Sequence, residues 1–379
     1  MFSLSRSADN IFARWWWTID RWNLLQILSL AIIGVIFVWA SSTSAVENLK
    51  GIDDPHYFLF KHIKFLILGL FLMISISFLS IKGIYRIGIV GFLVFFIMLV
   101  CVLFFGINYK GATRWLDIGL VTIQPSEFIK PFFVLVTALF LSKKSQLITE
   151  FSSKINFGHI SLLLLLSILF LLYKQPDFGM AILLLLLWFG QYFLIGLSFR
   201  WFFALVIFLT TVLLIGYHSH SHVKTRIDSF LNLGGNEEYQ LNLALKAYES
   251  GSLIENLFGK GPGKGIIKKS IPDAHTDFIF PVIAEEFGAV ICFIIIVLFG
   301  AIVLRGFWRI LNSENLFQLL CAGGLLMLFG MQVLINISVT LSLIPTTGMT
   351  LPFISYGGSS LISSFICMGM VLALTKKNH

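Results

Sequence analysis

About ten long apolar runs, near residues 24–41, 64–81, 87–106, 127–142, 158–174, 179–196, 200–217, 279–304, 316–342 and 353–374, constrain this chain more than any other feature. Lipid offers the backbone no hydrogen-bond partner, so each run must satisfy its own N–H and C=O groups as a helix. The expected fold is therefore an all-α polytopic membrane protein, one domain over 1–379, with about ten transmembrane helices. Composition agrees, since 12% of the residues are charged, against about 25% in soluble domains.

The net charge of +8 sits in short clusters between the apolar runs, which points to a membrane and away from nucleic acid. Cys101, Cys292, Cys321 and Cys367 all fall inside those runs and read as small buried side chains. Lys and Arg in the short connections favour the face that carries the N-terminus, so both termini, including the polar segment 1–23, are expected in the cytoplasm. The first run follows that segment and is too long for an ordinary signal-peptide core, which makes it an uncleaved anchor. Trp15-Trp16-Trp17 just before it reads as an interfacial belt. One connection, 217–277, between the seventh and eighth helices, is long and extracytoplasmic. Its amphipathic stretches and glycine turns predict an ordered cap over the membrane surface.

Ionisable groups at membrane depth call for a reason. In Gln124-Pro125-Ser126-Glu127-Phe128-Ile129-Lys130, Glu127 and Lys130 share a helix face and form either a structural ion pair or a site for an anionic head group. Ser126 or Gln124 is the expected helix cap there. Asp177, in the Lys174-Gln175-Pro176-Asp177 hairpin, is either the cap of the sixth helix or a functional carboxylate. At Pro272-Asp273-Ala274-His275-Thr276-Asp277, followed by Glu285 and Glu286, the alternatives are capping by Thr276 or Asp277 and an acid–base site.

Just upstream, Gly259-Lys260-Gly261-Pro262-Gly263-Lys264-Gly265 is a flexible turn or a phosphate-binding loop, without the spacing of a Walker A motif. His218, His220 and His222 would share one side of an extended strand, although no cysteine accompanies them and metal binding is not expected. Pro345-Thr346-Thr347-Gly348-Met349-Thr350-Leu351-Pro352-Phe353-Ile354-Ser355-Tyr356-Gly357-Gly358-Ser359-Ser360 is polar and glycine-rich where it enters the last span. It serves either close helix packing or the lining of a cavity.

Four of these pieces, in this order, resemble the SEDS family of polytopic cell-wall proteins, the FtsW, RodA and SpoVE group. They are Gly111-Ala112-Thr113-Arg114-Trp115 with Gln124-Pro125-Ser126-Glu127, then Gln175-Pro176-Asp177-Phe178-Gly179, then Pro272-Asp273-Ala274-His275-Thr276-Asp277-Phe278, and the segment 352–360. The resemblance runs from the first span to the last. Within the family, Trp15-Trp16-Trp17-Thr18-Ile19-Asp20-Arg21, Pro272-Asp273-Ala274-His275 and Met349-Thr350-Leu351-Pro352 are more similar to the division branch than to the elongation branch.

The resemblance implies a peptidoglycan glycosyltransferase in the cytoplasmic membrane, enriched at the division septum. It would join lipid II units on the outer face with inversion and loss of undecaprenyl pyrophosphate. Asp277 corresponds to the family's essential acidic residue and would be the base, with His275 orienting it. Arg114 and Lys130, then Lys260 and Lys264, would face the diphosphate, and Trp115 a sugar or the prenyl chain. Glu127, Asp177, Ser355, Gly357, Gly358 and Ser359 would line the substrate site. No cofactor is implied, and a divalent cation stays open. Expected partners are a class B penicillin-binding protein transpeptidase and other division-site membrane proteins. A lipid II flippase and a scaffold without chemistry are the competing readings; a flippase calls for polar groups along its whole path, whereas these gather mainly at the outer end.

Overall fold

A computed structural model gives the fold and describes residues 10–47, 54–109, 112–119, 121–146, 157–197, 200–219, 221–231, 236–251, 256–311 and 313–377. A short surface helix, α1 (Ile11–Thr18), is capped by Asn10, whose side chain accepts from the Ala13 N–H at 2.6 Å. Among the described residues, six helices are long and apolar enough to cross a membrane. They are α2 (Arg21–Glu47), α3 (Tyr57–Ser77), α4 (Ile81–Phe105), α5 (Pro125–Gln146), α11 (Ile279–Ile310) and α12 (Leu316–Thr340). Shorter apolar helices are α6 (Phe157–Lys174), α7 (Phe178–Leu194), α8 (Arg200–Ser219) and α13 (Gly358–Leu374).

The helices pack around α5, α12 and α13, which face protein on nearly all sides, whereas α3 and α4 keep outward rows of Phe, Ile and Val. Gly69 lets α3 approach α13, because a Cβ there would stand 2.2 Å from the Phe365 ring. The first and last described segments meet at one end of the bundle. The Lys377 N–H donates to the Thr18 carbonyl at 3.0 Å, and Arg309 Nη1 to the Thr375 carbonyl at 3.2 Å. Since α11 carries Arg309 in its last turn and begins at Ile279, Asp277 lies at the opposite end.

Two span starts show where the structure departs from the sequence expectation. The second span begins at Tyr57, not 64, because Lys61 lies in the helix and bends its ammonium back over the Tyr57 ring, 4.4 Å from the centroid. The last span begins at Gly358, not 353: the backbone ahead of it turns at Phe353, with φ at 65°, and Ser355 Oγ accepts from the Leu351 N–H at 2.8 Å.

The eighth span is broken at Gly288, whose φ of 78° leaves the helical region. A Cβ there would stand 2.2 Å from the Leu257 carbonyl, so only glycine admits both the turn and the neighbour. The carbonyls of Glu285 and Glu286, just before the break, accept instead from the N–H groups of Lys260 and Gly261 at 3.0 and 2.9 Å.

The connection between α4 and α5 is a three-stranded antiparallel meander, β1 (Ile107–Tyr109), β2 (Ala112–Asp117) and β3 (Thr122–Ile123), which the span count did not anticipate. Ile107 pairs with Trp115 and Leu116 with Ile123. Within the long connection, α9 (Ser221–Phe230) and α10 (Asn236–Ser250) precede a single 3-10 turn, Ile267–Lys269. Leu241, Ala244 and Ala247 of α10 pack with Ile271, Ala274, Phe278, Val282 and Val339 in a core of their own. The chain is helical at 200–219 and 221–230, so the histidines share no strand, and His220 lies outside the described residues.

Candidate functional site

Side chains alternate along β2, so Ala112, Arg114 and Leu116 face one way and Thr113, Trp115 and Asp117 the other. Ala112 and Leu116 are buried and Trp115 half-buried, which places Arg114 on the inward face. Arg114 Nη1 lies 3.8 Å from Asp177 Oδ1, and its other nitrogens donate to the carbonyls of Gln175 and Pro176. Asp177 holds the N-cap position of α7 but makes no capping bond, contrary to the capping alternative. Its Oδ2 accepts from Ser126 Oγ at 3.3 Å, so Ser126 is likewise spent on Asp177. Gln124 Nε2 donates to Ser126 Oγ at 3.2 Å, and the Gln124 N–H to Ser359 Oγ at 3.1 Å. Four separate segments thus close on one buried carboxylate.

One turn deeper, Lys130 Nζ lies 2.7 Å from Glu127 Oε2 and 3.2 Å from Gln332 Oε1. Both charges are buried, which is tolerable because each is paired. Gln332 Nε2 reaches the Thr350 carbonyl at 3.3 Å and Ser360 Oγ at 3.4 Å, while Thr350 Oγ1 donates to Ser360 Oγ at 2.6 Å. Ser363 Oγ donates to the Glu127 carbonyl at 2.7 Å.

Asp277 lies two residues before α11. The N-cap of that helix is Phe278, without a side-chain cap, so neither Thr276 nor Asp277 caps it. Thr276 Oγ1 lies 3.0 Å from both the Asp273 carbonyl and Asp277 Oδ1, which share its one hydroxyl hydrogen. Burial pushes the Asp277 carboxyl up to about 6, and the neighbouring charge of Asp273 adds to the rise; Thr276 and Arg226 act against it.

Asn336 Nδ2, from α12, donates to the Asp277 carbonyl at 2.9 Å and to the Met349 carbonyl at 2.7 Å. Arg226, from the cap, donates through Nη1 to the Thr346 carbonyl at 3.0 Å. The His275 ring lies 4.2 Å from that of Phe58 and 5.6 Å from that of Tyr356, and the His275 carbonyl accepts from the Tyr356 N–H at 2.9 Å. The connector 343–357 therefore touches the Asp277 group on one side. Through Thr347, against which Gly179 packs, it touches the Asp177 hairpin on the other.

The glycine-rich loop turns its N–H groups onto two carboxylates of its own chain. Glu285 accepts from the N–H groups of Ile266, Ile267 and Lys268 at 2.8 to 3.1 Å and from Lys260 Nζ at 3.0 Å. Glu286 accepts from Gly263 and Gly265 N–H at 3.1 and 3.2 Å and from Lys268 Nζ at 2.6 Å. The nest that the sequence offered to phosphate is thus filled by Glu285 and Glu286. Lys264 is exposed.

The fold gathers Arg114 and Ser126 on the Asp177 carboxylate with Ser359 held beside them through Gln124, Glu127 and Lys130 beneath it, and Asp277, His275, Ser355 and Gly357 along the connector. Gly358 opens α13 where a Cβ would meet the Phe65 ring at 2.7 Å. Lys260 stands apart in the Glu285 nest. Asn336 and Gln332 escaped the sequence reading, although amides in an otherwise apolar span were a usable signal. Among the described residues no group of three or more His, Cys, Asp or Glu side chains could hold a metal ion.

Fold and site together define a polytopic membrane protein with polar side chains gathered at the end of the bundle away from the Lys377–Thr18 contact. Residues 21–379 match the family described as cell cycle protein, FtsW/RodA/SpoVE, and the chain belongs to it. A probable peptidoglycan glycosyltransferase FtsW of Caulobacter vibrioides (strain NA1000 / CB15N) is 37% identical over 99% of this chain and 95% of its own length. One of the same description from Coxiella burnetii (strain RSA 493 / Nine Mile phase I) is 34% identical, over 94% of this chain and 96% of its own.

Among solved structures, a chain of a peptidoglycan synthase complex that coordinates polymerization and crosslinking superposes with a TM-score of 0.75 at 26% identity. The match covers 94% of this chain and 97% of that one. The rod shape determining protein RodA of Thermus thermophilus superposes with a TM-score of 0.69 at 26% identity, over 95% and 97%.

Proposed function

We propose that the chain is a peptidoglycan glycosyltransferase of cell division that polymerises lipid II at the outer face of the cytoplasmic membrane, with both termini in the cytoplasm. The observation that carries the reading is the place of Asp277, two residues before α11 at the end of the bundle away from the Lys377–Thr18 contact, with Thr276 Oγ1 on its carboxylate and Asn336 Nδ2 on its carbonyl; burial raises that carboxyl to about 6. A base with that affinity is mostly ionised near neutral pH and accepts a proton better than an ordinary aspartate.

The 4-hydroxyl of the acceptor GlcNAc attacks C1 of the donor MurNAc as its proton passes to Asp277. The new O4–C1 bond forms as the C1–O bond to diphosphate breaks, the electron pair leaves with undecaprenyl pyrophosphate, and the α linkage becomes β. Diphosphate needs no acid to depart, so one carboxylate suffices. Positive charge fixed near the departing group stabilises the transition state. Arg114 and Arg226 are assigned that task, with the exposed Lys264 assisting. Lys130 and Lys260, closed on Glu127 and Glu285 at 2.7 and 3.0 Å, hold the walls, whereas Arg114 stands farther from its carboxylate, 3.8 Å from Asp177. Trp115 offers its half-buried face to a sugar or the prenyl chain, and a class B penicillin-binding protein supplies crosslinking beside it.

The test is to reconstitute the full chain with its transpeptidase partner in liposomes carrying fluorescent lipid II and to resolve the products on gels. Glycan strands are expected. Translocation of lipid II without strands would replace the polymerase reading by the flippase.

A further inference from the structure

At the end of the bundle that holds the chain ends, away from the site above, a cavity of about 490 Å³ is lined by Arg21, Arg305, Arg309 and Lys377 around a single carboxylate, Asp20. Asp20 is fully buried and already taken: its oxygens receive Arg305 Nε and Arg309 Nε at 2.9 Å. The terminal nitrogens of Arg305 make no hydrogen bond among the described residues, and neither Arg21 nor Lys377 has a carboxylate partner there. Arg21 lies instead over the Trp16 and Trp17 rings, 5.6 and 4.7 Å from their centroids. The cavity thus carries a formal excess of three positive charges.

Its lip is apolar. Trp22 is 65% and Leu25 58% exposed, and from there Ile32, Ile36 and Trp39 continue an outward stripe down the same face of α2 at helical spacing. A cationic pocket at the water boundary that opens onto an apolar stripe matches one kind of ligand, a phosphate carrying acyl chains. We propose that this cavity binds the phosphate of an anionic glycerophospholipid from the leaflet nearer the chain ends, with its acyl chains lying along α2. A zwitterionic head group fits poorly, because its ammonium would face guanidinium groups whose one carboxylate is spent. The site is independent of the polymerase reading.

The experiment measures binding of radiolabelled phosphatidylglycerol to the purified full chain in mixed micelles, with phosphatidylcholine and inorganic phosphate as competitors. Phosphatidylglycerol is expected to bind tighter than phosphatidylcholine, and inorganic phosphate not to displace it. Arg21→Ala with Lys377→Ala should weaken phosphatidylglycerol about thirtyfold, from two cations at the membrane surface, and leave phosphatidylcholine unchanged. Arg21→Lys with Lys377→Arg should restore binding, which separates charge from damage to the fold, and Lys377→Glu alone should weaken it. Equal binding of the two lipids, displacement by inorganic phosphate, or undiminished binding by the alanine pair and by Lys377→Glu would each overturn the proposal.

Discussion

The side-chain amide of Asn336 donates to the backbone carbonyl of Asp277 at 2.9 Å, and with its second hydrogen to that of Met349 at 2.7 Å. One buried amide from the middle of the helical bundle therefore fixes the backbone of the proposed base against the connector. Asn336→Ala strands two carbonyls, at a cost of about 1–3 kcal/mol each. It is expected to lower kcat for lipid II polymerisation at least tenfold with a smaller change in KM, measured well below its own melting temperature.

The raised Asp277 carboxyl predicts the pH profile. A base must be ionised to act, so kcat/KM should rise with pH through about 6 and level off above it. The Asp273 charge contributes to the rise. Asp273→Asn should therefore move this acid limb to lower pH, read from initial polymerisation rates in a buffer series.

The Glu285 and Glu286 nest predicts an effect on stability. Glu285→Ala removes the acceptor of three backbone N–H groups and of Lys260, and Gly288→Ala adds a Cβ 2.2 Å from a carbonyl at a φ of 78°. Each is expected to destabilise the protein by about 3 kcal/mol or more. The check is the melting temperature, together with faster proteolysis at the loop around Lys260.

Lys130 offers a direct separation of structure from binding. Removing it alone leaves Glu127 buried without its cation, at about 3–5 kcal/mol, whereas Glu127→Gln with Lys130→Met removes both charges and should recover most of that loss. If Lys130 holds a wall and not the diphosphate, polymerisation should recover with the fold.

The helical architecture was legible because lipid leaves an apolar run of such length only one backbone solution. The candidate carboxylates were legible because charge at membrane depth needs a reason, and Asp177, Glu127, Glu285 and Glu286 each have one. What the sequence hid, outside the Glu127–Lys130 pair on one helix face, was the identity of the partner. Asp177 reads as a cap until β2 brings Arg114 beside it. The loop 259–265 reads as a phosphate cradle until the break at Gly288 turns the two glutamates into it. Those pairings join residues more than 20 apart in sequence, where periodicity carries no signal.

The most direct measurement is the single-turnover rate of lipid II polymerisation by wild type and Asp277→Asn, in complex with the transpeptidase and at matched melting temperature and lipid II binding. The account predicts unchanged binding and a rate lower by about 10²- to 10⁴-fold, the usual worth of a general base. Equal rates in the two proteins would contradict it.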